Sequence, residues 1–172
     1  MNADDDCFTI SKATIDDAKN LVYFLNTVGG ETNYLNFGRD EFFISVEGER
    51  LIIAESIEQE RCLILVGKQQ GEIMSHLFLD RSPLKRLNHL GTIGLAVSQV
   101  HWRKSIGSQM MLTAIDWAKS KNMSKLELSV RCDNEPAIAL YRQLGFSIEG
   151  RLTRSVLIDG VYFGNYLMGM AL

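Results

Sequence analysis

HWRKSIGSQMM, His101 to Met111, gathers Arg103, Lys104, Ser105, Gly107 and Ser108 into six residues directly ahead of an apolar helical run. It is too polar for a strand, whereas HLGTIGLAVSQV (His89–Val100), just upstream, reads as one. A strand, a short loop and a helix in succession aim several peptide N–H groups at one spot, because the first turn of a helix leaves its donors without intrahelical partners. Those donors and the positive end of the helix dipole bind anions, phosphates above all. Small residues let a ligand approach the backbone, and Arg103 and Lys104 add charge. The stretch therefore predicts a phosphate-holding turn, against the plainer reading of a capped helix with solvated cations. Neither G-x-x-x-x-G-K-[ST] nor a G-x-G-x-x-G after a strand occurs in the chain, so a P-loop and a Rossmann domain are excluded.

Working outward, SIGSQMMLTAIDWAKSK (Ser105–Lys121) is the strongest helix, with Ile106, Met110, Ala114, Trp117 and Ala118 on one face. Before it, FTISKAT (Phe8–Thr14) alternates as a first strand, and Thr14 with Asp17 has capping-box spacing for a helix that Gly29-Gly30 stops. Glu31–Phe43 lacks a period and predicts a loop, followed by a helix over Ser45–Glu60. Leu63–Val66 and Ile73–Leu79 form a hairpin about QQGE. After the central helix come a strand over Lys125–Cys132, a helix over Glu135–Leu144 opened by Pro136 and closed by Gly145, and two strands about Asp159-Gly160. The order β-α-α-β-β-β-α-β-α-β-β predicts one mixed α/β sheet with helices on both faces, and residues 1–172 as a single domain.

The 172 residues suffice for one core, and 46% hydrophobic with 23% charged is the balance of a globular protein. Only 2 prolines occur, and neither repeat nor low-complexity tract is present. MNADDDCF is not a secretory signal, and no apolar run reaches the ~18 residues of a membrane span. Cys7, Cys62 and Cys132 suit neither a disulfide frame nor a zinc site, which together point to a reducing cytoplasm. Residues 1–60 carry 4 Lys+Arg against 13 Asp+Glu, net −9, and residues 61–172 carry 14 against 8, net +6. An acidic front and a basic back suit a cationic and an anionic ligand, although charge unevenly sown over a surface gives the same totals. No aromatic-basic interleaving recommends a nucleic-acid partner.

From Val97 onward the chain resembles the signature of the GNAT acetyltransferases, V-x-x-x-x-[QR]-x-x-G-x-[GA]. Val97 is followed at the required spacing by Trp102, Ser105 and Gly107, with Trp102 in place of Gln/Arg and Ser105 in place of the first Gly. HWRKSIG is similar to a Y-W-G-K-G-I-G form found in small bacterial members. Independently, Asn134, Ala137, Tyr141, Gly145 and Phe146 fit the family's N-x-x-A-x-x-x-Y-x-x-x-G-F. DGVYFGNYLMGMAL resembles the last hairpin of that subgroup, with Gly164 and Asn165 where an Asp is usual. The resemblance spans roughly residues 8–170.

It implies a mostly antiparallel seven-stranded mixed sheet, split by a cleft for acetyl-coenzyme A, and transfer of acetyl to an amine by direct attack in a ternary complex. Backbone groups of Leu95, Ala96 and Val97 would pair with the pantetheine arm. Trp102, Arg103, Lys104, Ser105, Ile106, Gly107 and Ser108 would hold the pyrophosphate, with Asn134 and Ala137 against the arm from the other side. Tyr141 stands at the general-acid position, beside the thioester, as proton donor to the departing thiolate. No metal is implied. No one base follows: Thr92 and Ser129 stand where some relatives carry Glu, and Glu127, Glu31, Tyr34, His89 and a water relay remain. Glu31 and Tyr34 are also the expected acceptor-side residues, in a pocket formed by the first two helices, the Glu31–Phe43 loop and the last hairpin. A small amine or a protein N-terminus would be the acceptor, cationic if the acidic front is read literally, and a homodimer is compatible. An acyl-cysteine route through Cys132 lacks a nucleophile-activating neighbour, and Arg131 and Arg142 read as solvated surface charges. The alternative is a non-catalytic acyl-coenzyme A sensor or assembly subunit that keeps the fold.

Overall fold

The computed structural model describes residues 8–172; Cys7 and the acidic run before it lie outside the described residues. Seven strands form one sheet in the order β1-β2-β3-β4-β5-β7-β6. The strands are β1 (Thr9–Lys12), β2 (Cys62–Gln69), β3 (Glu72–Arg81), β4 (Leu90–Val97), β5 (Lys125–Arg131), β6 (Ser147–Ile158) and β7 (Val161–Ala171). The helices are α1 (Ala18–Gly29), α2 (Val46–Gln59), α3 (Ile106–Ser120) and α4 (Glu135–Gln143). Every strand pairing is antiparallel except β4 with β5. That exception follows from connectivity, since a parallel pair needs a long crossover and α3 supplies it.

Each face of the sheet carries its own core. Alternation along β4 sends Ile93, Leu95 and Val97 to the side covered by α3 and α4, where Met110, Met111, Leu128, Val130 and Tyr141 lie. Ala96 points to the other side, under α1 and α2, with Leu21, Leu25, Ile53 and Val66. α1 and α2 cover only the β1–β4 half of that face; along β6 and β7, Leu152 and Leu167 stay exposed.

The start of α1 is built as its spacing predicts. The Thr14 N–H and hydroxyl both donate to the Asp17 carboxylate, at 2.9 and 3.0 Å, and one turn of 3-10 helix precedes α1. Several boundaries differ from the sequence reading: β1 is Thr9–Lys12 rather than Phe8–Thr14, β5 ends at Arg131 rather than Cys132, and β4 stops at Val97, short of Val100. Gln99–His101 form a single 3-10 turn, because the Ser98 N–H donates to Met74 and His101 N–H folds back to Ser98. No helix among the described residues is long and apolar enough to cross a membrane.

Candidate active site

β4 and β5 pair over only three rungs, Leu90 with Lys125, Gly91 with Leu126 and Thr92 with Glu127. Beyond Thr92 they part: β4 stays with β3 as far as Val97, and β5 stays with β7 as far as Arg131. One edge of Ile93–Val97 is thus left facing a gap, and an unpaired strand edge is a row of peptide donors and acceptors available to an extended ligand. A Cβ built on Gly94 would meet nothing within 4 Å, so there is open space over the sheet face at the strand's midpoint, on the side to which Thr92 and Ala96 point.

The turn predicted to hold phosphate lies at the open end of this gap. Among the described residues, none of the peptide N–H groups of Arg103 to Ser108 donates to a protein acceptor, the condition an anion site requires. Arg103 (φ 61°) and Ser105 (φ 60°) both adopt left-handed backbone, a conformation that disfavours any residue with a Cβ. Ile106 turns its side chain into the core and offers only its backbone outward. Gly107 packs closely, since a Cβ there would lie 3.3 Å from Leu140 and 3.5 Å from Leu95, and the Leu140 side chain would have to give by a few tenths of an ångström. Lys104 Nζ stands 3.5 Å from His101 Nδ1. Partial burial and then the Lys104 charge hold the His101 imidazole below its usual value, against an opposing pull from Glu31. Trp102 has a role the sequence did not reveal: its indole N–H donates to the Val97 carbonyl at 2.7 Å, fixing the turn to the end of β4 and occupying an acceptor expected to pair with the pantetheine arm.

On the same side of the sheet, α4 carries Tyr141. The ring is 8% exposed and packs on Phe146 at 6.0 Å between centroids. Burial pushes the phenol up to about 12, so it stays protonated throughout the neutral range. Asn134 caps this helix by accepting from the Ala137 N–H at 3.3 Å, which commits its side-chain oxygen to the protein.

The other face holds the polar residues of β5 and β7. Glu127, on the last rung before the gap, accepts from the Thr92 hydroxyl at 3.3 Å. Asn165 Nδ2 donates to Ser129 Oγ at 2.9 Å, while Asn165 Oδ1 is buried with no partner. Arg131, read from sequence as a solvated charge, is 5% exposed. It chelates Asp133 at 2.9 and 2.6 Å, donates to the Asn33 carbonyl at 2.6 Å, and lies over the rings of Tyr34 (5.3 Å) and Phe163 (3.8 Å). Alternation along β5 puts Arg131 opposite the core, and what buries it is a loop ninety-eight positions earlier, which no local pattern reveals.

Glu31 is also placed differently from expectation. Its carboxylate accepts from the Gln99 N–H at 2.7 Å and from the Ser98 hydroxyl at 3.3 Å, so it grips the turn after β4 rather than facing an acceptor. Tyr34 does reach the β5–β7 side, through Arg131. Leu95, Ala96, Val97, the Trp102–Ser108 turn, Ala137 and Tyr141 all come from elements that border the gap. Cys132 is half-buried at the end of β5, where its N–H donates to the Gly164 carbonyl. Among the described residues, no group of three or more His, Cys, Asp or Glu side chains converges as a metal site.

Residues 33–146 match the Acetyltransferase (GNAT) family. An L-amino acid N-acetyltransferase of Escherichia coli is 31% identical over 121 residues, covering 70% of this chain and 72% of its own. A GNAT-family acetyltransferase from Streptococcus pneumoniae superposes with a TM-score of 0.93 at 28% identity, over 96% of this chain and all of that one. A phosphinothricin acetyltransferase of the same superfamily from Sinorhizobium meliloti, solved in complex with acetyl-coenzyme A, shares the fold at a TM-score of 0.82 and 14% identity, over 96% and 88% of the two chains.

Proposed function

The chain belongs to the acetyltransferase (GNAT) family, and on that premise we propose that residues 1–172 form one catalytic domain that moves acetyl from acetyl-coenzyme A to a primary amine in a ternary complex. The observation that carries this reading is the three-rung pairing of β4 with β5. A sheet that opens after Thr92, with free peptide donors at its mouth and a buried phenol on one wall, has the shape of a thioester channel. The pantetheine arm adds to the free edge of β4 through Leu95 and Ala96. The diphosphate sits on the N–H groups of Arg103–Ser108, aided by the Arg103 and Lys104 side chains.

The acceptor enters from the α1 face, past Tyr34, Ser129 and Asn165, and gives up its ammonium proton towards Glu127 and solvent. The amine lone pair then attacks the thioester carbonyl carbon, the nitrogen sheds its second proton to solvent, and the carbon–sulfur bond breaks as the tetrahedral adduct collapses. Sulfur takes the Tyr141 phenolic proton, which solvent replaces. A pKa of about 12 makes the phenol a reluctant donor to a solvated thiolate. A thiolate leaving into the same buried channel has its own proton affinity raised by desolvation, which narrows the gap. The related Escherichia coli enzyme takes L-amino acids. Here Glu127 and the orphaned Asn165 oxygen both seek N–H donors, which supports a cationic amine as acceptor. A reducing cytoplasm is the setting this chemistry and the cysteine usage favour.

Thiol release from acetyl-coenzyme A across polyamines, L-amino acids and peptide N-termini tests the proposal. Tyr141→Phe is expected to lower kcat by about 100-fold or more, within the ~10²–10⁴ range of general acid–base catalysis, while acetyl-coenzyme A affinity stays nearly unchanged. An unaltered rate would remove Tyr141 from the chemistry. Binding of acetyl-coenzyme A without thiol release from any amine would favour the sensor reading.

A further inference from the structure

The short segment Glu31–Tyr34 touches both sides of the gap. At one end, the Glu31 carboxylate holds Ser98 and Gln99, directly after the last residue of β4. At the other, the Asn33 carbonyl and the Tyr34 ring are held by Arg131, the last residue of β5. Arg131 is itself fixed by two hydrogen bonds to Asp133 and by the Phe163 ring, so this anchor is not a loose surface contact. Only Thr32 separates the two anchoring residues, and its hydroxyl accepts from the Tyr34 N–H at 3.2 Å, tightening the segment further. Two residue steps of chain span at most about 7 Å. The chain between the two anchors is therefore short, and any widening at this end must be taken up by it and by the Glu31 and Arg131 side chains.

We propose that Glu31–Tyr34 is a strap across the mouth of the β4–β5 gap, with Glu31 and Arg131 as positioning residues that couple the coenzyme turn to the acceptor wall. The inference rests on the coenzyme occupying the gap as described above. Gln99 begins the 3-10 turn that leads to Trp102 and the phosphate-facing amides, so the grip of Glu31 sets where those amides stand. Tyr34 lines the acceptor side, so the grip of Arg131 sets that wall. Neither residue needs to touch a reacting atom for both substrates to sense its loss.

A double-mutant cycle on the full chain tests the strap, using Glu31→Ala, Arg131→Met and the pair, with acetyl-coenzyme A affinity read by calorimetry and the acceptor KM by thiol release. Each single change is expected to weaken coenzyme binding and raise the acceptor KM together, each by about 5–20-fold, and the pair to be no worse than the poorer single, because one tether is cut in either case. Glu31→Gln keeps one oxygen for the Gln99 N–H and should recover coenzyme affinity to within about 3-fold of the parent. A Glu31→Ala effect confined to the acceptor KM would overturn the strap and make Glu31 a direct acceptor contact. So would additive losses in the pair. If Arg131→Met fails to fold, amide exchange in Glu31→Ala decides alone: faster exchange at both 98–99 and 33–35 supports the strap, and faster exchange at 98–99 only refutes it. That readout needs no coenzyme, so it separates failure of the strap from failure of the acetyltransfer reading.

Discussion

Arg103 and Ser105 occupy left-handed backbone that glycine would adopt without cost. A Cβ in that region costs roughly 1–2 kcal/mol, partly offset by the freedom glycine adds to the unfolded chain. Ser105→Gly is therefore expected to raise unfolding stability by about 0.5–1 kcal/mol, and Ser105→Ala to leave it unchanged or lower; a chemical-denaturation series checks both. Arg103→Gly should stabilise by a similar margin yet weaken acetyl-coenzyme A binding by about 1–2 kcal/mol, since it relieves the turn and deletes a cation at once. A glycine variant less stable than its parent would mean the turn is not strained. Tyr141 carries a pH signature of its own. With its phenol at about 12, loss of the acid should produce no descending limb in kcat below about pH 10.5. The rate should instead climb with pH as the acceptor ammonium is deprotonated and then level off. A fall in kcat between about pH 8 and 10 that disappears in Tyr141→Phe would contradict the assignment.

Among the elements, α1 is fixed to the sheet through one carboxylate. Asp17 accepts from Thr14 and forms an ion pair with Lys68 of β2 at 2.5 Å. Burial alone would raise its pKa, but the Lys68 hydrogen bond and the Thr14 donors outweigh that and hold the carboxyl below its usual value. A depressed carboxylate contributes stability that is fully present above its unfolded value, near ~3.9, and is lost as pH falls through the folded value. Asp17→Asn should therefore cost about 2 kcal/mol at pH 7, with the gap to the parent closing below about pH 4 in urea titrations. A gap constant down to pH 2.5 would show that the charge contributes nothing. The capping-box spacing makes the Thr14–Asp17 half of this joint legible in the sequence, because four consecutive residues contain it, whereas Lys68 lies 51 positions away. The same holds for the Asp159-Gly160 hairpin and the alternation of β2 and β3. The contacts of Arg131 and Glu31 are not legible for the opposite reason, since their partners lie 98 and 67–68 positions away, where spacing says nothing. Arg131 lies on the polar side of β5 by alternation and is buried between the 33–34 segment and the Phe163 ring of β7.

At the scale of the molecule, element order and two spaced motifs carry the mixed α/β sheet and its cleft, while the one parallel pairing, β4 with β5 across α3, is a finding of the structure. They could not give the depth of the opening, which depends on where β4 and β5 cease to pair, nor the strap across it. The proposed function rests on that opening: the coenzyme would add as a strand to a sheet that lacks one, with its charged end on the amides of Arg103–Ser108 and its sulfur end towards Tyr141. Amide hydrogen exchange of residues 103–108, with and without saturating acetyl-coenzyme A, tests this most directly. Slowing of exchange by about tenfold or more across the segment, reproduced in part by inorganic pyrophosphate alone at high concentration, is the predicted result. Exchange at those amides unchanged by acetyl-coenzyme A, under conditions where calorimetry shows it bound, would contradict the account.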